Sequence, residues 1–400
     1  MTRALDAWLE GRYVGLFEEL RDGTATFRYD GDAPDTPISL SLPRHGKCSK
    51  RAPLNFLENV LPDHPTTRAR MARDYDADSD GTFDLLARGG GDIAGGLVIL
   101  PAGSPPESER QELNPALDRD IAGRIAALKR DPDAWAPSHG LARFSLGGTQ
   151  GKFTLARLDG DWYCSNSGVP STHIFKPARP DLNGLEAAEA TALRLARQVG
   201  LAAPRADVMT VLDQSTYVAE RFDRRPNGLL TTRLHAEDLA QASGTSSNEK
   251  YRMTARQALA LLNRHDPDGG LCATFIDQLA FNVLLGNADA HAKNYSVLLR
   301  PDGIEMSPLY DVVPVGLYVA FDQNLAMSIS GARRSHAVGP HHWRKCAEGA
   351  GLDPELVVGR VVRIAARIAA TVDSAWSDLE TAQAATLREM LLRNTATLLD

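Results

Sequence analysis

Residues 284–299 read LLGNADAHAKNYSVLL and set one Asp, one His, one Lys and two Asn between two apolar runs. Upstream, Phe275, Ile276, Leu279, Val283 and Leu284 recur at helical spacing, and Gly286 stands where such a helix stops. Polar groups bracketed by core-forming segments must be hydrogen-bonded inside the fold or serve chemistry. This tract therefore constrains the chain more than any other.

Asp289 and Asn294 stand in the order D-x-x-x-x-N. Protein-kinase catalytic loops use that spacing, with the Asp accepting the substrate hydroxyl proton and the Asn holding magnesium. Taken singly, Asn and Asp after a helix end are more often turn formers, so companions decide. Asp311, in SPLYDVVPV, is flanked by apolar residues as a buried magnesium-binding carboxylate is. Lys176 ends the β-like run STHIFKP, where a lysine can reach ATP phosphates; alone it reads equally as a solvated strand end. SLGGTQGK at 145–152 offers glycines whose N–H groups can wrap phosphates, or a plain hairpin turn. It is not a Walker A loop, because only three residues separate Gly147 from Gly151 and Phe153 stands where a Ser or Thr is required. ERFDRR at 220–225 follows the strand-like STYVA, where a segment joining two lobes offers backbone groups to an adenine; it also reads as a charged turn. Glycine loop, lysine, hinge, D-x-x-x-x-N and metal Asp thus occur in kinase order.

Organisation agrees with that order. Residues 1–105 form a β-rich unit of short apolar segments (RYVGLFEEL, PISLSLP, GGLVILP) with few helices. PAGSPPESERQELNP, residues 101–115, reads as linker, and the linker is taken as 106–125. Residues 126–225 hold strands around the helical stretch LEAAEATALRLARQVGL, which ends at Gly200. Residues 226–400 turn helical, with an Asp cap and Pro opening a helix at DPEL. The fold class expected is α+β, a protein-kinase-like two-lobe fold with a strand-rich N-terminal region and an all-α C-terminal lobe. No internal repeat is visible.

The net charge of −7 across 400 residues argues against a large nucleic-acid footprint and suits a basic protein partner. Four scattered cysteines without a C-x-x-C pair argue against a disulfide framework and a thiolate zinc site. The N-terminus MTRALDAWLEGRYVG lacks a basic-then-apolar leader, and no run approaches a membrane span, so a cytoplasmic protein with no membrane contact is expected.

With these residues on view, the chain resembles HipA-type serine/threonine kinases, the toxins of bacterial HipA–HipB toxin–antitoxin modules. The resemblance covers nearly the whole chain, through SLSLP, FLENVLPD, GGDIAGGLVILP, STHIFKP, VAERFDR, TTRLHAEDLAQASG, GNADAHAKNYSVL and SPLYDVV. It implies Asp289 as catalytic base and Asn294 and Asp311 as magnesium ligands. It implies ATP contacts from Gly147, Gly148, Thr149, Gln150, Gly151 and Lys152, from Lys176, from Glu220, Arg221 and Phe222 at the hinge, and from His291 and Tyr310. Ser145, just before the glycine loop, corresponds to the serine whose autophosphorylation ejects that loop and switches the family's kinases off. A phosphate there adds close to two negative charges beside a site for ATP phosphates. The resemblance also implies a HipB-like DNA-binding antitoxin as partner, DNA contact only through it, and a protein substrate such as an aminoacyl-tRNA synthetase, whose phosphorylation arrests translation and growth. One departure stands in the loop: relatives commonly carry an acidic residue before the lysine, where this chain has Gly151.

Two other readings compete. The chain can act as a binding subunit, a co-repressor docked on a basic antitoxin, which its acidic balance fits. Or Asp289, His291 and Asp311 can form a metal-hydrolase site, though no second histidine is well spaced for it.

Overall fold

The computed structural model describes residues 3–106, 113–135, 144–179, 181–227, 230–373, 376 and 379–399. Its chain divides into two compact units: Met1–Pro180 with Met209–Asn248 and Leu298–Gly303, and Asp181–Val208 with Glu249–Val297 and Ile304–Asp400. In this division the N-terminal 105 residues and the strands that follow share one unit.

The first unit opens with β1 (Ala4–Leu9), β2 (Arg12–Glu19) and β3 (Ala25–Tyr29), then α1 (Ala52–Asn59), α2 (Pro65–Asp74), α3 (Thr82–Gly89) and β4 (Leu97–Pro101). The four strands form one sheet in the order β3-β2-β1-β4, with every neighbouring pair antiparallel. Alternate residues Leu5, Ala7 and Leu9 of β1 are buried with Phe17, Phe56, Leu57 and Leu86 in one core. Three helices stand where few were expected. In FLENVLPD the buried Phe56, Leu57, Val60 and Leu61 follow helical spacing that the surrounding Pro and Gly obscure. PISLSLP, expected as a strand, makes only the isolated bridge Ser39–Leu42.

Next comes α4 (Asp118–Arg130), which starts inside the stretch taken as linker; residues 107–112 of that stretch lie outside the described residues. Then follow β5 (Phe153–Leu158), β6 (Asp161–Tyr163) and β7 (His173–Lys176), and, after α5 (Leu185–Gln198) of the second unit, β8 (Ala206–Val211) and β9 (Gln214–Glu220). They form a five-stranded sheet ordered β6-β5-β7-β9-β8, which places β7 and its Lys176 at the centre. The hairpin β10 (Arg224–Asn227) and β11 (Leu230–Arg233), then β12 (Ala236–Asp238) and α6 (Leu239–Ser243), complete the unit.

The second unit is mainly helical: α7 (Ala255–Asn263), α8 (Gly270–Leu285), α9 (Pro340–Ala350), α10 (Pro354–Thr371) and α11 (Thr381–Leu399). Between α8 and α9 run β13 (Ser296–Arg300), whose residues from Leu298 on belong to the first unit, and β14 (Gly303–Met306), so the stretch expected as an all-α lobe also holds strands. Helix boundaries follow local chemistry. Thr254 caps α7 in a reciprocal box with Gln257. Asp353 accepts from the Glu355 and Leu356 N–H groups at the start of α10. Gly286 ends α8 in the left-handed conformation, at φ 74°. Buried Val357, Val361, Ile364, Ala365 and Ile368 give α10 the apolar face that packs on α8, α9 and α11. Among the described residues no helix is long and apolar enough to cross a membrane.

Candidate active site

In the second unit the polar tract forms a braced loop rather than a loose turn. After Gly286, the Asn287 N–H returns to Asn282 O at 2.9 Å. The buried Asn282 amide donates to the Tyr295 hydroxyl at 3.1 Å and accepts from Asn287 Nδ2 at 2.8 Å. Asn287 Oδ1 in turn receives the Asp289 N–H at 3.3 Å. These bonds tie the loop to Asn282 in the last turn of α8 and to Tyr295 beyond the loop, and so fix its path. The Asp289 side chain is thereby left exposed, while Ala288, Ala290 and Ala292 are buried on either side of it. Tyr251, which the sequence reading did not single out, donates its hydroxyl to Asp289 Oδ1 at 2.7 Å. His291 is buried and meets the Tyr251 ring edge-on, with centroids 5.0 Å apart.

Asn294 and Asp311 come together. Asn294 Nδ2 donates to Asp311 Oδ2 at 2.6 Å, and Asn294 Oδ1, in a side chain only 3% exposed, has no hydrogen-bond partner among the described residues. A buried carbonyl oxygen left without a donor is costly unless something electropositive meets it. Beside a carboxylate, these hard oxygens suit magnesium, which is held by one or two protein carboxylates plus waters and substrate phosphates. Asp311 sits at φ 55°, a left-handed conformation that few non-glycine residues adopt. Tyr310 supports the same segment, with its hydroxyl 2.8 Å from Lys293 O and 2.6 Å from Ser296 Oγ. Among the described residues no group of three or more His, Cys, Asp and Glu side chains is arranged to hold a metal ion, so the hydrolase set of Asp289, His291 and Asp311 is not assembled.

In the first unit the glycine loop runs from Ser145 to Lys152. Gly148 takes φ 105°, and a Cβ there would stand 2.8 Å from Lys152 Nζ. Lys152 is buried, donates to Gly147 O at 2.9 Å and lies 4.8 Å over the Trp135 ring. Thr149 is exposed and Gln150 half-buried. Gly151 is buried, and a Cβ added to it would come within 2.8 Å of Pro132 O and 3.1 Å of Leu128 Cδ2. The end of α4 thus occupies the space that an acidic side chain would need. Ser145 is fully buried. Lys176 is 8% exposed, 5.5 Å from the Tyr217 ring centroid on the neighbouring strand.

Along the expected hinge, Glu220 is exposed, Phe222 half-buried and Arg221 buried. Its N–H is committed to Thr172 O at 2.8 Å, and its guanidinium is bonded to Asp223, Ser171 Oγ and Ile93 O. Arg224 binds Asp92 at 3.0 Å and Asp223 at 3.0 Å, all four side chains being buried. Burial opposes ionisation of both acids, yet Arg221 and Arg224 hold the Asp92 carboxyl below, and the Asp223 carboxyl well below, the usual carboxylate range. The segments GGDIAGG and VAERFDR therefore pair with each other, through the side chains of Asp92, Arg221, Asp223 and Arg224.

Residues 5–100 match the family model described as the HipA N-terminal domain, and residues 144–376 the one described as the HipA-like C-terminal domain. The Sinorhizobium fredii protein Y4mE is 32% identical over 381 residues, covering 91% of this chain and 89% of the relative. The serine/threonine-protein kinase toxin HipA of Shewanella oneidensis is 30% identical over 357 residues, covering 83% of this chain and 79% of the relative. In the solved Shewanella oneidensis complex of HipA, HipB and operator DNA, the matching chain has a TM-score of 0.80 at 26% identity, covering 98% of this chain and 96% of that one.

Proposed function

The chain belongs to the HipA family, and from that premise we propose that it is a magnesium- and ATP-dependent serine/threonine protein kinase, the toxin of a bacterial toxin–antitoxin module. The observation that carries this reading is the Asn294–Asp311 pair with its unpartnered Asn294 Oδ1, placed just beyond an exposed Asp289. Asn294 and Asp311 would hold magnesium, which would supply charge neutralisation for the ATP phosphates. Asp289 accepts the proton of a protein hydroxyl as its oxygen bonds to the γ-phosphorus, and the bond to the β-phosphate oxygen breaks to release ADP. Tyr251 orients the Asp289 carboxylate. Lys176 and the loop from Gly147 to Lys152 hold phosphates, and Glu220, Phe222, His291 and Tyr310 border the nucleotide.

The partner is a HipB-like antitoxin, through which alone the chain meets DNA, and the setting is the cytoplasm. The substrate class is an aminoacyl-tRNA synthetase or another translation protein, with growth arrest as the result. Ser145 is the site of self-inactivation.

Incubation with labelled ATP and magnesium, followed by mapping of phosphate by mass spectrometry, tests the reading. Label on Ser145 that is absent from an Asp289→Ala control supports it. A protein that is unphosphorylated at the outset, takes no label and still binds an antitoxin would instead be a binding subunit.

A further inference from the structure

The glycine loop owes its position to the N-terminal domain of the same unit. Glycines contribute no side-chain packing and carry a high entropic cost when ordered, so such a loop must be tied from outside. Five ties hold residues 144–148. The Tyr75 hydroxyl donates to Phe144 O at 2.9 Å and accepts from Phe144 N at 3.0 Å. Ser145 Oγ donates to Val60 O at 2.7 Å, and the Ser145 N–H donates to Asp92 O at 3.1 Å. The Asp63 N–H donates to Gly148 O at 3.0 Å. Tyr75, just after α2, is 2% exposed, so water does not compete for either of its bonds to Phe144. Gly89 makes room for it: a Cβ there would stand 3.1 Å from Tyr75 Cε2 and 3.4 Å from Phe144 O.

We propose that Tyr75 is a positioning residue of the nucleotide site, a clasp from the N-terminal domain that holds the glycine loop where its N–H groups meet phosphates and keeps the Ser145 hydroxyl shut in. The proposal rests on the kinase reading. It makes the N-terminal domain part of the nucleotide site rather than an appendage, and it makes release of the Phe144 clasp a requirement for modification of Ser145.

The same domain supplies a matched control. The Tyr29 hydroxyl likewise donates to one backbone oxygen, Leu42 O, and accepts from one N–H, that of Ile38, at 2.9 Å. Full-length wild type, Tyr75→Phe and Tyr29→Phe are compared by amide hydrogen exchange at residues 144–148 and by calorimetric ATP binding in magnesium. Losing a buried hydroxyl clasp is expected to speed exchange at 144–148 and to weaken ATP binding, each on the order of fivefold, in Tyr75→Phe alone. Equal exchange at 144–148 in all three proteins, or the same change in both variants, overturns the proposal. Failure of the wild type to bind ATP overturns the kinase reading itself, and the proposal with it.

Discussion

The Tyr251 hydroxyl donates to Asp289 Oδ1 at 2.7 Å from 38 positions upstream. On the proposed role of Asp289 as base, its carboxylate needs one orientation to receive the proton of a substrate hydroxyl, and the loop's hydrogen bonds act on its backbone. Tyr251→Phe removes the side-chain constraint and leaves Asn294 and Asp311 untouched. Phosphate transfer is expected to fall by about thirtyfold, within the range for a hydrogen bond to a charged group, with ATP affinity unchanged. Steady-state kinetics against ATP concentration separate the two.

Asp311 combines a charge with a left-handed backbone. Asn tolerates that conformation and Ala does so poorly. Asp311→Asn is expected to abolish magnesium-dependent transfer while keeping the thermal midpoint within a degree or two. Asp311→Ala should lose the same activity and, in addition, about 1 kcal/mol of stability. Activity assays beside urea unfolding check both.

The buried acids Asp92 and Asp223 depend on Arg221 and Arg224. Arg221→Met leaves two buried carboxylates sharing one of those guanidiniums, and the expected loss is about 3–5 kcal/mol. Arg344, whose bond to Glu355 lies on the surface, gives no measurable change when replaced by Met. Urea midpoints of the two variants discriminate buried from exposed pairing.

Glu237 gives the protein a pH dependence of its own. Burial pushes its carboxyl up to about 8, although Leu40 N–H donates to Oε1 at 2.8 Å. An unfolded chain releases that proton near pH 4.3. The folded state therefore binds a proton that the unfolded state gives up, so this stabilisation is complete below about pH 4 and is lost as pH rises through about 8. Glu237→Gln keeps an acceptor for Leu40 and removes the charge. Its melting temperature is expected to match wild type at pH 4 and to exceed it increasingly towards pH 8, where the gain is on the order of 1–3 kcal/mol. A melting series across pH 4–8 is the check.

Much of this was legible in the sequence wherever the signal is local. The apolar period of α8, the stop at Gly286, the Asp353 cap and the spacing of Asp289 and Asn294 all lie within a turn or two of chain. The helices α1–α3 were hidden because Pro and Gly interrupt short apolar periods. Tertiary pairings left no local mark. Tyr251 meets Asp289 across 38 residues, Tyr75 meets Phe144 across 69, and Arg224 meets Asp92 across 132. Arg221 is an example: nothing local in ERFDRR announces that its side chain is buried beside Asp92 and Asp223. Gly151 reads in sequence as a missing carboxylate, and its reason is steric, in Pro132 and Leu128.

The most direct measurement of the central claim is labelled-phosphate transfer from ATP by wild type, Asp289→Asn and Asp311→Asn, with ATP binding measured on the same samples. If Asp289 is the base and Asp311 a magnesium ligand, both variants lose transfer, Asp289→Asn still binds ATP in magnesium, and Asp311→Asn loses the tightening that magnesium confers. An Asp289→Asn protein that transfers phosphate at the wild-type rate contradicts the account.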